Sequence, residues 1–441
     1  MKFSKQLNPN KSNYTIECIP GDKSISHRSI ILGSLASNSS SFSNFLMSDD
    51  CKNTIEIFKA LGVKINHNST EVEINGVGLR GLREPKTQLD VGNSGTSIRL
   101  ITGLLSAQSF NSVISGDSSI QTRPMKRIID PLSKMGANIT GLANSKKDIC
   151  PPLSITSSTA LQPITYSLPI ASAQVKSSIL LAGLFINGTT TIIEPVKCRN
   201  HTELMLNAFN AKISIKDTHI FLEGNHNLQN PFSKTIKIPS DFSSAAFFIV
   251  LGLIIPNSHI KLKNIGINPT RAGLLQILKD MGANISLCNE VNDIEPTADI
   301  HVKSSNLKNI CIPVSAIANI IDEIPILAIA AMFATGTMKL TNAKELRFKE
   351  SDRIEKIVEL VTQFGGKIID YDDGFEISGG ISPIDNIPTI QTHYDHRIAM
   401  SAVIASLATN IACEIDSLDC ITTSFPNFLD IINQFSLQPQ Q

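Results

Sequence analysis

Basic residues recur beside predicted helix starts along this chain, and a cation at a helix N-terminus is a sign of anion chemistry. The first instance is Pro20-Gly21-Asp22-Lys23-Ser24-Ile25-Ser26-His27-Arg28. A proline-glycine turn lets backbone approach a ligand, and Ser24 is placed to cap the helix or bind a phosphate oxygen. Lys23 sits at the positive end of the helix dipole, and Arg28 lies one turn further on. Free N–H groups, dipole and two cations together make an anion site. Lysine at that position opposes the dipole and costs stability unless an anion is present. A solvated surface turn is the plainer reading of the same residues.

Similar starts follow. Gly92-Asn93-Ser94-Gly95-Thr96-Ser97-Ile98-Arg99 combines glycines, which admit a ligand close to the backbone, with short polar side chains. Thr122-Arg123-Pro124 reads as the opening of an amphipathic helix, with proline in its first turn and an arginine beside the dipole. Ala171-Ser172-Ala173-Gln174-Val175-Lys176 opens a third buried helix, and its partner helix opens near Arg199-Asn200-His201.

The second half adds acids. Ile321-Asp322-Glu323-Ile324-Pro325 starts a buried helix with a carboxylate at its N-terminus, where Asp322 could also serve as a plain cap. Leu346-Arg347-Phe348-Lys349-Glu350-Ser351-Asp352-Arg353 is a run of charges, often only a solvated face. Tyr394-Asp395-His396-Arg397 opens the last buried helix, and His396 could merely bond backbone there. A protein that only bound anions would gain nothing from acids beside them, because they repel the ligand. Acid–base catalysis would need them.

The elements that must position these residues form a repeat. Leu61-Gly62-Val63-Lys64-Ile65, Met135-Gly136-Ala137-Asn138-Ile139, Met281-Gly282-Ala283-Asn284-Ile285 and Phe364-Gly365-Gly366-Lys367-Ile368 each end a helix with an apolar residue and a turn, then begin a strand. Phe209-Asn210-Ala211-Lys212-Ile213 fits with asparagine, the other residue tolerant of a left-handed C-cap. A degraded sixth copy lies at Phe435-Ser436-Leu437. Successive copies are roughly 70 to 85 residues apart, a period of repeated supersecondary units. In phase with them, helices apolar almost all round begin near Ser24, Asn93, Ser172, Asp241, Asp322 and Asp395, each offering a Ser, Asn or Asp as cap.

Each unit reads strand, buried helix, strand, amphipathic helix, strand, strand. The fold class is therefore α/β, with six βαβαββ repeats, three per domain. The first domain spans 20–238, and the second spans 1–19 plus 239–441. The N-terminal run Tyr14-Thr15-Ile16-Glu17-Cys18-Ile19 is expected to supply the strand that the sixth copy lacks. Equivalent repeat positions face alike, so the cations and acids are expected to meet in an interdomain cleft, open when empty because like charges repel.

At 441 residues the chain exceeds one ordinary core, and 39 basic against 39 acidic residues argue against a general nucleic-acid binder. The eight cysteines show no Cys-x-x-Cys pair or zinc spacing, which predicts buried reduced thiols and no metal site. The polar stretch Met1 to Asn13 has no signal-peptide pattern, and the apolar segments Ala245 to Ile255 and Ile324 to Ala334 are too short to span a bilayer. A cytoplasmic protein with no membrane partner is expected.

With these residues in view, the chain resembles the 5-enolpyruvylshikimate-3-phosphate synthases. The matching runs extend from Pro20 through Pro426, and are most specific at residues 20–28, Gly92 to Thr96, Thr122 to Pro124, Ser172 to Gln174, Lys349 to Arg353 and Asp395 to Arg397. Residues 171–176 and Thr422-Thr423-Ser424-Phe425-Pro426 look like the class II branch. The resemblance implies a two-domain inside-out α/β barrel of the enolpyruvyl transferase type. It implies transfer of the enolpyruvyl group of phosphoenolpyruvate to the 5-hydroxyl of shikimate 3-phosphate, with no metal or organic cofactor and with the chain acting as a monomer.

By that resemblance, Lys23, Ser24, Arg28, Ser172, Ala173, Gln174, Arg199, Asp322 and Lys349 hold shikimate 3-phosphate. Lys23, Asn93, Gly95, Arg123, Gln174, Arg353 and Arg397 serve phosphoenolpyruvate. Asp322 accepts the 5-hydroxyl proton, and Glu350 or Lys23 delivers a proton to the methylene carbon. Thr423 departs from the family's usual lysine there. Gly95 stands where herbicide-tolerant members carry alanine, which implies competitive inhibition by glyphosate. Two rivals are the enolpyruvyl transferase acting on UDP-N-acetylglucosamine and a non-catalytic anion-binding repeat protein. The first usually carries Lys-Asn at Lys23-Ser24 and a loop cysteine, whereas Gly116 to Arg123 has none.

Overall fold

Glycine or asparagine closes the amphipathic helix of the first five repeats because the chain there turns through the left-handed region. Gly62, Gly136, Gly282 and Gly365 have φ of 92°, 100°, 93° and 78°, and Asn210 has φ of 61°. A side chain with a Cβ pays for that conformation, so these types mark where helix gives way to strand. The computed structural model describes residues 2–8, 11–144, 148–158 and 161–437. Among them the strands form six small sheets, four of four strands and two of three.

The second repeat shows the unit plainly. Strand Leu89–Asp90 leads to helix Gly95–Leu105 and returns as Ser112–Ser115, parallel to the first strand. Helix Lys126–Lys134 follows, and then strands Asn138–Ala143 and Ile149–Thr156. The last strand inserts antiparallel between the other two. Helices that follow the first strands are core: Phe242–Ile254 and Ile324–Phe333 are buried along nearly their whole length. The chain divides into two compact units, Gly21–Ile238 and Met1–Pro20 with Pro239–Gln441. The chain thus passes between units at Pro20 and again at Pro239.

The N-terminal run does not complete the sixth sheet as expected. Asn13–Ile16 pairs in parallel with His259–Gly266, Tyr14 against Ile260, and so opens the fourth repeat. A parallel partner fits the leading position of a βαβ unit, and Tyr14 seals it by stacking on Phe435 at 4.1 Å. The sixth sheet is completed by Lys2–Phe3, antiparallel to Cys413–Ile415 with Phe3 buried. The leading strand of the first repeat is likewise delivered late, as Ile236–Lys237 beside Ser39–Ser43.

Three of the expected caps also move. Asp22, not Ser24, caps helix Lys23–Leu35, its Oδ1 accepting from Ile25 N at 2.9 Å. Ser94, not Asn93, caps Gly95–Leu105. Helix Ile324–Phe333 starts after Glu323 and has no side-chain cap, because the Glu323 carboxylate is taken by Arg271 and Ser243. Arg123 is not in a helical turn. The residue before a proline is driven to extended backbone, so Arg123 has φ −78° and ψ 135° and the helix begins at Lys126. Cys18 and Cys311 are exposed and Cys288 half-buried, in contrast to the expected buried set, while all eight thiols are free. Among the described residues no single helix is long and apolar enough to cross a membrane.

Candidate active site

In the unit Gly21–Ile238, helix Lys23–Leu35 brings its cations to partners on neighbouring helices. Lys23 Nζ lies 2.5 Å from Asp50 Oδ2 in the first turn of helix Asp49–Ala60. Arg28 is buried and spends every arm: Nε donates to Thr202 Oγ1 at 2.7 Å, one Nη to the Ser24 carbonyl at 2.9 Å, the other to Ser177 Oγ at 2.9 Å. Arg199 donates to Ser24 Oγ at 3.1 Å. Lys23, Ser24, Arg28 and Arg199 therefore form one cationic group at a helix N-terminus.

A second group gathers around Gly95. Arg123 donates to Asn93 Oδ1, and Asn93 in turn donates to Asp117 Oδ2 at 3.0 Å. Arg99 donates to Gln174 Oε1 at 2.6 Å, and Gln174 Nε2 to Thr96 Oγ1 at 3.2 Å. A Cβ placed on Gly95 would stand 3.0 Å from Arg123 Nη1 and 3.1 Å from Arg99 Nη1. Glycine thus admits two guanidinium groups against the backbone. Ser172 caps its helix through Val175 N at 3.4 Å, which leaves Ser172, Ala173 and Gln174 half-buried at its start.

His27 ties the two groups together. Its Nδ1 is 2.8 Å from Thr54 Oγ1, which contacts Ser97 Oγ at 2.8 Å, which donates to the capping Ser94 Oγ at 2.8 Å. Burial, followed by the charges of Lys23 and Arg28, drives the imidazole well below its ordinary pKa, so it is neutral.

In the other unit, the carboxylates gather around Arg353. Its Nη2 donates to Glu350 Oε2 at 2.6 Å, its Nη1 reaches Asp322 Oδ1 at 3.4 Å, and its Nε donates to Asp395 Oδ2 at 2.8 Å. Burial works against the guanidinium charge, but the charges of Asp395, Glu350 and Asp322 outweigh it and raise the Arg353 pKa further. Arg397 donates to the Asp322 carbonyl at 2.8 Å. Asp322 and Glu350 keep 17% and 29% of their side chains exposed, so they can still meet a reactant. Lys349 is half-buried and directly precedes Glu350, and Thr423 bonds its own short helix through the Cys420 carbonyl at 2.7 Å.

Sequence reasoning missed the supports. Asp50, Thr202 and Ser177 were not singled out, since an acid in a first helical turn and hydroxyls within helices carry no local sign of a partner. Arg99, one helical turn past Gly95, was legible from i, i+4 spacing. Arg271, which donates to Glu323 Oε1 at 2.7 Å, carried no local signal.

The repeated units, the cations at helix starts and the grouped carboxylates define an enolpyruvyl transferase-type fold. A solved EPSP synthase from Acinetobacter baumannii superposes with a TM-score of 0.84 at 44% identity, covering 98% of each chain. The enolpyruvyl transferase NikO from Streptomyces tendae superposes at 0.76 with 16% identity, over 98% of this chain and 96% of that one, a likeness of fold alone. The profile of EPSP synthase (3-phosphoshikimate 1-carboxyvinyltransferase) matches residues 9–432, and the chain belongs to that family. Curated 3-phosphoshikimate 1-carboxyvinyltransferases from Ruthia magnifica and Bacillus subtilis are 49% and 44% identical to it. They match over 95% of this chain, with 94% and 96% of their own lengths covered.

Proposed function

We propose that this chain transfers the enolpyruvyl group of phosphoenolpyruvate to the 5-hydroxyl of shikimate 3-phosphate, within aromatic amino-acid and chorismate biosynthesis. What supports this activity is the pair of accessible carboxylates held by one buried arginine. Arg353 orients Asp322 and Glu350 together, as acid–base work at adjacent atoms requires.

Asp322 takes the proton of the 5-hydroxyl as its oxygen bonds to C2 of phosphoenolpyruvate. Glu350 or Lys23 supplies a proton to C3, so the methylene becomes a methyl group. In the second half a proton leaves that methyl group, the C2–O bond to phosphate breaks, and the enol ether and inorganic phosphate are released. The cationic centre at C2 and the departing phosphate are stabilised by oppositely charged groups already in place. Lys23, Ser24, Arg28, Ser172, Ala173, Gln174, Arg199 and Lys349 hold shikimate 3-phosphate. Lys23, Asn93, Gly95, Arg123, Gln174, Arg353 and Arg397 serve phosphoenolpyruvate.

The enzyme works as a monomer in the cytoplasm. The test is phosphate release from phosphoenolpyruvate in the presence of shikimate 3-phosphate, with UDP-N-acetylglucosamine as control acceptor. Release with shikimate 3-phosphate alone is expected. Release only with the UDP-sugar, or with neither, refutes the reading.

A further inference from the structure

Lys176 is fully enclosed on helix Ala173–Gly183, two positions after Gln174. Its ammonium lies 2.6 Å from Glu203 Oε1 and 2.9 Å from Glu194 Oε1, and donates to the Cys198 carbonyl at 3.3 Å. Glu194 Oε1 also accepts from the Cys198 amide at 3.2 Å and from its thiol at 2.8 Å. One carboxylate thus closes the turn 194–198, and one ammonium ties that turn to the helix.

The residues fixed by this cluster are next to those that grip Ser24 and Arg28. Arg199 directly follows the anchored Cys198 and donates to Ser24 Oγ. Thr202 directly precedes Glu203 and accepts from Arg28 Nε, while Ser177 directly follows Lys176 and accepts from another arm of Arg28. The Ser177 and Thr202 hydroxyls are themselves 2.6 Å apart. A packed apolar cluster would hold these layers with no loss of stability. Only polar groups can fix the amide and carbonyl of Cys198, and those set where Arg199 begins. Burial opposes the ammonium charge, yet Glu203 and the other groups around it raise the Lys176 pKa, while burial raises that of the Glu203 carboxyl against the pull of Lys176.

We propose that Lys176 is a positioning residue, acting through the 194–198 turn and Glu203 to hold Arg199 and Thr202 where Arg199 and Arg28 can bind shikimate 3-phosphate. The inference rests on the function proposed above, and it assigns Lys176 no contact with either substrate.

The test compares wild type, Lys176→Met, Arg199→Ala and the double variant in the phosphate-release assay, varying each substrate in turn. Loss of a charge-assisted contact predicts that KM for shikimate 3-phosphate rises about tenfold in each single variant. KM for phosphoenolpyruvate should stay within about twofold, the pattern of lost binding at one substrate alone. Because both changes act through Arg199, the double variant should fall well short of the product of the two effects. A Lys176→Met enzyme with unchanged KM for shikimate 3-phosphate, or effects that multiply in full, overturns the role.

Should Lys176→Met fail to fold, Lys176→Met combined with Glu194→Gln and Glu203→Gln removes all three charges together and is held to the same comparison. A wild-type chain that releases no phosphate refutes the functional reading and with it the substrate named here. An active wild type with an unaltered variant refutes the positioning role alone.

Discussion

The Nε–H of Arg353 points at Oδ2 of Asp395 at 2.8 Å, and the two side chains are 1% and 0% exposed. Asp395 also caps the last core helix, accepting from Arg397 N at 3.0 Å. One carboxylate thus fixes both the arginine that carries Asp322 and Glu350 and the start of the helix that carries Arg397. Lysine cannot reproduce a planar fork to three acids. Arg353→Lys keeps the charge but gives up the forked contacts, and should therefore lower the free energy of unfolding by about 2 kcal/mol, the scale of a lost hydrogen bond to a charged group. Urea unfolding of the two proteins measures this, and equal stabilities would rule out the anchoring role.

Gly95 predicts a substrate-selective defect. A methyl group there would stand 3.0 Å from Arg123 Nη1 and 3.1 Å from Arg99 Nη1, so both guanidinium groups must give way by a few tenths of an ångström. Gly95→Ala should raise KM for phosphoenolpyruvate about tenfold, in keeping with the cost of small misplacements at a reacting centre. KM for shikimate 3-phosphate should hardly move, and glyphosate should inhibit the variant more weakly than the wild type. Inhibition unchanged by the substitution would remove the steric rationale.

His27 predicts a pH dependence of stability. Its folded pKa is depressed below the ordinary 6.5 by burial and then by Lys23 and Arg28. The unfolded chain therefore binds a proton that the folded one refuses. Stability from this group is full above pH ~6.5 and declines as pH falls below it, by at most about 1.4 kcal/mol per pH unit. His27→Asn should flatten the slope of unfolding free energy between pH ~7 and ~5 relative to wild type. Parallel slopes for the two proteins would contradict a neutral buried imidazole.

The repeat was legible because its punctuation is chemical: glycine or asparagine must stand where a helix ends in a left-handed residue, and Gly62, Gly136, Asn210, Gly282 and Gly365 do. Cations at helix starts were legible for the same reason, since Lys23 opposes a dipole that most helices respect. Pairing partners were less so. Tyr14 and Ile16 alternate like any edge strand, and nothing local says that they pair with His259–Gly266 while Lys2–Phe3 closes the sixth sheet.

Exact caps were also hidden where two candidates stood close together, as with Asp22 and Ser24, because reach to a particular N–H decides between them. The deepest loss was of long-range supports. Thr202 meets Arg28 across 174 positions, and Arg271 meets Glu323 across 52, distances at which sequence pattern carries no contact.

Asp322 and Glu350 are proposed to perform proton transfer beside Arg353 and Arg397. Phosphate release by Asp322→Asn and Glu350→Gln, each beside direct measurement of shikimate 3-phosphate binding, tests it most directly. Turnover should fall by roughly 10²–10⁴-fold in each, the usual cost of a lost general acid or base, while shikimate 3-phosphate still binds. Wild-type turnover in either variant would contradict proton transfer by that carboxylate.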